Sequence, residues 1–254
     1  MNRSLRFLLA AGSVSGAALS FSGCVENEST LFVHGVLLAK PPDCIVTPDP
    51  GQLTLGSGVL DIALARSYRA ALLVGNQFAP RGAKTQLKTE TTRVILTGAE
   101  VTLTDSATGE VFNCPSQPNC GQYSVYGSGF ADSSRSEDPG WGIVFAQLVP
   151  NAVGEAIAAD TGNPILSDRT KTIGLVATIK VFGRSLGGKD VESGDFSFPI
   201  DVCNRCLIDY SHADTAGACL TPTGFEGDKI CQPGQDQTVD CRACTSLDVC
   251  KSAL

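Results

Sequence analysis

The chemistry open to this chain of 254 residues is mostly that of its eleven cysteines. Thiols in such number can pair as disulfides, hold a soft metal ion or exchange redox equivalents. Cys203-Asn204-Arg205-Cys206 and Cys241-Arg242-Ala243-Cys244 are two CxxC pairs, four thiolates that zinc could use. But 34 residues separate the pairs, against roughly 15–20 in the common zinc pattern. Cys219, Cys231 and Cys250 crowd the same segment. A thioredoxin-like role needs CxxC at a helix start within a βαβ unit, and neither pair has that setting. Oxidised pairing is the better reading.

Other constellations are weaker. Gly183-Arg184-Ser185-Leu186-Gly187-Gly188-Lys189 has the spacing of a phosphate loop, but Asp190 follows where Ser or Thr should hold magnesium. The segment reads as a hairpin loop. The two histidines are His34 and His212. His212 has Asp209 and Asp214 nearby, so a weak metal site is conceivable, but a surface-loop histidine is the better reading. Gly-x-Ser-x-Gly is absent. The 26 acidic residues give many carboxylate pairs and no basis for choosing one. Trp141, the sole tryptophan, lies between Gly140 and Gly142 and reads as core in preference to a ligand platform. The sequence therefore assigns no catalytic residue, no metal ligand and no cofactor.

The N-terminus sets the compartment that decides cysteine chemistry. Arg3 and Arg6 precede fifteen uncharged residues, Phe7 to Phe21. That is a basic region followed by an apolar one, too short for the roughly 20 residues of a spanning helix. Phe21-Ser22-Gly23-Cys24 resembles the lipobox of bacterial lipoproteins. The resemblance implies cleavage after Gly23 and lipid attached to Cys24. The alternative is an ordinary secretory signal followed by an unmodified cysteine. Val25, where Asp would favour the inner membrane, implies the outer membrane. With Cys24 taken by lipid, ten cysteines remain, an even number suited to full pairing in an oxidising compartment.

Cys44, Cys114 and Cys120 lie in the body; Cys203, Cys206, Cys219, Cys231, Cys241, Cys244 and Cys250 lie in the last 52 residues. Both groups are odd, so full pairing requires a bridge between tail and body. Cys114 and Cys120 enclose a short turn-rich loop that they could close themselves, which would leave Cys44 as the link to the tail.

The elements that carry these residues read as strands. After a polar tether (24–30), Leu31 to Ala39, Leu53 to Leu55, Val59 to Leu64, Tyr68 to Val74 and Thr91 to Thr104 have β character, the last with a bend at Gly98. Tyr123 to Phe130, Ile143 to Val149, Ile173 to Phe182 and Val191 to Ile200 complete the set. Asn151 to Asp160 reads as one short helix, capped by Asn151 and ended by Gly162 and Pro164. The predicted fold is all-β: an antiparallel β-sandwich, Ig-like or related, over 31–200, after a signal peptide (1–23), with two stacked sandwiches divided near Asp105 to Asn119 or in Ser133 to Gly140 as the weaker alternative. The segment 201–254 is a Cys-rich tail with too few apolar residues for its own core, pinned on the body.

The Cys44-centred start, Tyr68 to Asn76, Thr91 to Asp105, and Phe198-Pro199-Ile200 running into Cys203-Asn204-Arg205-Cys206 together resemble uncharacterised lipoproteins of myxobacteria and their relatives. The resemblance implies an envelope location and no assigned activity. A net charge of −7, without a basic cluster, speaks against nucleic acid as a partner. The expectation is a non-enzymatic binding, adhesion or structural module. It is anchored in the membrane through Cys24 and meets an envelope protein or glycan. A periplasmic hydrolase with an unrecognised site is the alternative.

Overall fold

A computed structural model of the protein describes residues 30–40, 43–81, 89–115, 117–135, 138–209 and 231–240. Residues 1–29, on which the expected signal peptide, the lipidation at Cys24 and most of the expected tether fall, lie outside the described residues. So do His212, Cys219, Cys241, Cys244 and Cys250.

The fold is all-β with two short helices. The strands are β1 (Leu31–Leu37), β2 (Thr54–Leu55), β3 (Gly58–Asp61), β4 (Tyr68–Asn76), β5 (Val94–Asp105), β6 (Gln122–Ala131) and β7 (Gly140–Val149). After helices α1 (Asn151–Ala159) and α2 (Pro164–Ser167) come β8 (Ile173–Ser185), β9 (Asp190–Glu192), β10 (Phe196–Cys203), β11 (Ile208–Asp209) and β12 (Val239–Asp240). Ten of them form one sheet in the order β2-β1-β4-β7-β6-β5-β8-β10-β3, with β9 also beside β8. Pairing is antiparallel except β3 with β10 and β11 with β12, which are parallel.

Periodicity explains which face each strand buries. In β5, Val94 and Leu96 point inward, and so do Ala99, Val101 and Leu103. The register shifts between Leu96 and Gly98 on both neighbours. One extra residue there moves the inward set from even to odd numbers, as a β-bulge must. In β8, Leu175, Ala177, Ile179 and Val181 alternate without interruption. β4 is buried on both faces except at Arg69. Its inner face meets the main core, while Ala71 and Leu73 are covered from outside by Leu37, Val46, Trp141 and Ile143. Val153 and Ile157 of α1 and Ile165 of α2 join the same core.

The sheet nearly closes on itself. β8 is long enough to serve two partners on one side, β10 along Ile173–Ile179 and β9 along Phe182–Arg184. Just past β9, Ser193 bridges Leu31 at the start of β1. Its N–H donates to the Val181 carbonyl and its Oγ accepts from the Val181 N–H. The segment read as one strand, Val191 to Ile200, is therefore two, interrupted where Ser193 joins β1 to β8.

The other margin is spanned by residues 234–236 of the C-terminal part. Asp61 N–H donates to Gly234 O, and Asp236 N–H to Val59 O. The Gln235 side chain then imitates a peptide unit for the next strand: Arg69 N–H donates to its Oε1 (3.1 Å), and its Nε2 donates to Arg69 O (3.0 Å). A gap between β3 and β4, which would otherwise expose strand edges, is filled by a backbone on one side and an amide side chain on the other.

Helix number and capping differ from the sequence expectation. Two helices are present among the described residues. The cap position of α1 is Pro150, without a side-chain hydrogen bond, and its carbonyl receives the Val153 and Gly154 N–H groups. Pro164, read as a terminator, opens α2, where its missing N–H costs nothing, and Asn163 Oδ1 caps the Ile165 N–H at 3.2 Å.

Candidate functional site

The structure pairs six of the ten cysteines expected to form disulfides. Cys114 bonds Cys120, Cys203 bonds Cys206, and Cys44, after β1, bonds Cys231 at the start of the closing strap. Cys203 and Cys206 sit with Asp61 in a group whose possible ligand atoms lie within 4.8 Å of one another. The donors there are already engaged. Asp61 is fully buried; its Oδ1 accepts from Ala63 N–H (2.9 Å) and Arg205 N–H (2.7 Å), and its Oδ2 from Leu207 N–H (2.9 Å). Arg205 has φ 65°, so the carboxylate holds a left-handed turn in place. This is a structural knot tying β3 to the end of β10.

Asp236 clamps the strap. Its Oδ1 accepts from Val59 N–H at 2.7 Å and its Oδ2 from the Tyr68 hydroxyl at 2.6 Å. Burial pushes the Asp236 carboxyl above the usual carboxylate range, outweighing the opposing pull of those two hydrogen bonds. Burial, with the adjoining Asp236 charge, likewise raises the Tyr68 hydroxyl. A raised pKa means that the folded state holds its proton more tightly than the unfolded one. Stability from Asp236 is thus fullest below the ordinary carboxylate pKa of about 4 and is lost as pH rises through the folded value. Urea unfolding from about pH 4 to about pH 7 should show a downward slope in the wild-type-minus-D236N difference; a flat difference would contradict the assignment.

The other residues singled out in the sequence stand apart from one another. The phosphate-loop look-alike is the end of β8 and a turn into β9, with Gly188 at φ 85° and Ser185 Oγ accepting from Lys189 N–H. It is strand–turn–strand, with no helix to receive a phosphate. His34 is exposed, edge-on to Trp141 at 5.2 Å. Trp141 is not in the main core: it packs on the outer face against Phe32, whose ring lies over Gly75 of the strand between them.

Two of the concavities among the described residues bear on function. One, about 930 Å3, lies between α1 and the loop closed by Cys114–Cys120. Asp105, Glu155 and Asp160 line it above Phe112, Ile157 and Ile173. Several of its polar atoms serve their own turns: Asp105 Oδ1 holds Ala107 and Thr108 N–H, and Asp160 Oδ1 holds Gly162 N–H.

The other is a groove of about 590 Å3 on the outer wall. It forms because β6 and β7 barely pair. Their ladder is the single pair Ala131↔Gly142, whereas β4 and β7 share nine. Beyond it the strands touch through glycine: a Cβ on Gly129 would stand 2.1 Å from Ile143 O, and one on Gly127 3.0 Å from Phe145 O. Farther along, Tyr123 reaches across beneath, its hydroxyl 2.6 Å from Leu148 O and 3.2 Å from Gln147 O. Burial raises the Tyr123 hydroxyl pKa, so it stays a neutral donor.

Ser67, Arg69, Ser124, Tyr126, Phe145 and Gln147 rim the groove. Tyr126 is 84% exposed and Phe145 50%. Tyr126 stands edge-on to Phe182 at 6.2 Å, and the Phe182 ring lies over Gly98 of the strand between them. Among the described residues, no hydrogen bond engages the side chains of Ser67, Arg69, Ser124 or Gln147. Sequence reading missed this rim. The available signal was alternation in β6, which sends Ser124, Tyr126 and Phe130 outward together.

Fold and site define an all-β protein with a nearly closed, disulfide-clipped sheet that presents aromatic rings on its outer wall. No protein-family model, curated protein or solved structure matches the chain.

Proposed function

We propose that the chain is a lipid-anchored envelope protein, held at the outer membrane through Cys24, that binds a partner without transforming it. The observation that carries the binding reading is the groove between β6 and β7, where exposed rings and unengaged polar side chains sit together on the outer wall of the sheet. Anchoring rests on Phe21-Ser22-Gly23-Cys24 and the basic, then apolar, segment before it. Two or more acyl chains, at about 0.8 kcal/mol per buried CH2, suffice for stable membrane attachment. In finer detail, we read the curled sheet as a sandwich-like pair of faces. The Tyr68 ring of β4 lies 6.1 Å from that of Phe198 of β10, although the two strands are far apart in sheet order.

Cys24→Ser should move the protein from the membrane fraction to the soluble one, while wild type remains with the membrane after a high-salt wash. An unchanged membrane fraction would refute the anchor. The rival reading, a hydrolase, is favoured by the three carboxylates of the cavity beside α1. Turnover of ester or glycoside panels, abolished by Glu155→Gln, would establish it in place of the binding role.

A further inference from the structure

We infer that the groove between β6 and β7 is a carbohydrate subsite that takes a short stretch of neutral pyranose chain; the inference rests on the binding reading above. A pyranose ring offers an apolar face of C–H groups and a rim of hydroxyls. It needs a flat apolar surface and several donors and acceptors at its edge. The Tyr126 and Phe145 rings supply the surface. Ser67, Ser124, Gln147 and Arg69 supply the edge, and their side chains have no hydrogen-bond partner among the described residues.

The volume, about 590 Å3, falls within the roughly 300–1,000 Å3 of small-ligand sites. An extended peptide fits less well. Strand addition needs open ladder positions, and the β7 carbonyls facing the groove are already covered: Ile143 O by Gly129, Phe145 O by Gly127, and Gln147 O and Leu148 O by the Tyr123 hydroxyl. An anionic ligand fits poorly too, since Arg69 is the one cation among the described lining residues and the chain carries a net charge of −7. Phe182 meets Tyr126 edge-on at 6.2 Å, and the absence of a side chain at Gly98 leaves room for the Phe182 ring between the strands of the pair.

The test uses the oxidised full chain in detergent, titrated with cellohexaose, chitohexaose, xylohexaose and mannohexaose by calorimetry, with chromatography of the sugars afterwards. Binding of at least one, unchanged sugar length, and a tenfold or greater loss in both Tyr126→Ala and Phe145→Ala is the expected result. The milder Gln147→Ala should lose severalfold, and an unchanged circular dichroism spectrum guards against misfolding. No binding of any hexaose at millimolar concentration would overturn the carbohydrate inference and leave the anchored binding role to its own fractionation test. Binding unaffected by Tyr126→Ala and Phe145→Ala would overturn the site. Shortened sugars would overturn the binding reading itself. Dimerisation in sedimentation, abolished by the same two substitutions, would show the groove to be an interface between copies, which also overturns the proposal.

Discussion

Replacing Cys44 and Cys231 together with serine should lower the unfolding free energy by about 5 kcal/mol. The bond joins positions 187 residues apart, and in the chain-entropy picture a loop of that size loses on the order of 5 kcal/mol of closure entropy when its crosslink is removed. Cys114 and Cys120 are only six apart; their double serine variant should lose about 2 kcal/mol by the same relation. The larger effect also has a structural component. Cys231 starts the strap whose Gln235 and Asp236 seal the margin between β3 and β4. Freed from Cys44, those few hydrogen bonds must hold residues 231–236 against the conformational entropy that the bond had removed. Urea unfolding monitored by tryptophan fluorescence should place the first variant well below the second. Equal losses would mean that the strap adds nothing to closure.

Asp61→Ala should cost about 3–5 kcal/mol, a loss as large as that of the long disulfide. One buried carboxylate receives three backbone N–H groups, from Ala63, Arg205 and Leu207. Hydrogen bonds to a charged acceptor contribute about 1.5–3 kcal/mol each, and a buried donor stripped of its partner loses its hydration as well. Asp61→Asn keeps an acceptor for two of the donors but turns an amide toward the third, so its loss should be roughly half. Denaturant midpoints at constant slope would measure both. A loss under about 1 kcal/mol for alanine would show that water or the neighbouring turn replaces the carboxylate.

How much of this was readable in the chain varies by element. The long strand with a break at Gly98 was legible, because the apolar residues change parity there and glycine permits the bulge. β8 was legible from plain alternation. The two-strand split at Ser193 was not, because it depends on a hydroxyl satisfying the Val181 N–H at the meeting with β1. Pro164 does lie beyond the end of α1, as read, but that it opens α2 was not legible, because the ring that follows one helix can start another. The closure by Gln235 had no local signature: an amide side chain acting as a peptide unit is recognisable only once Arg69 lies opposite. The groove rim follows a similar logic. Tyr126 and Phe145 look like ordinary strand aromatics until the β6–β7 ladder is seen to stop after one pair.

The measurement closest to the heart of the account is a mass-spectrometric map of the protein taken from membranes without reduction. It should show an N-terminal peptide that begins at Cys24 and carries acyl mass, together with a linked peptide pair containing Cys44 and Cys231. An unprocessed or unacylated N-terminus, or Cys44 recovered as a free thiol, would contradict it.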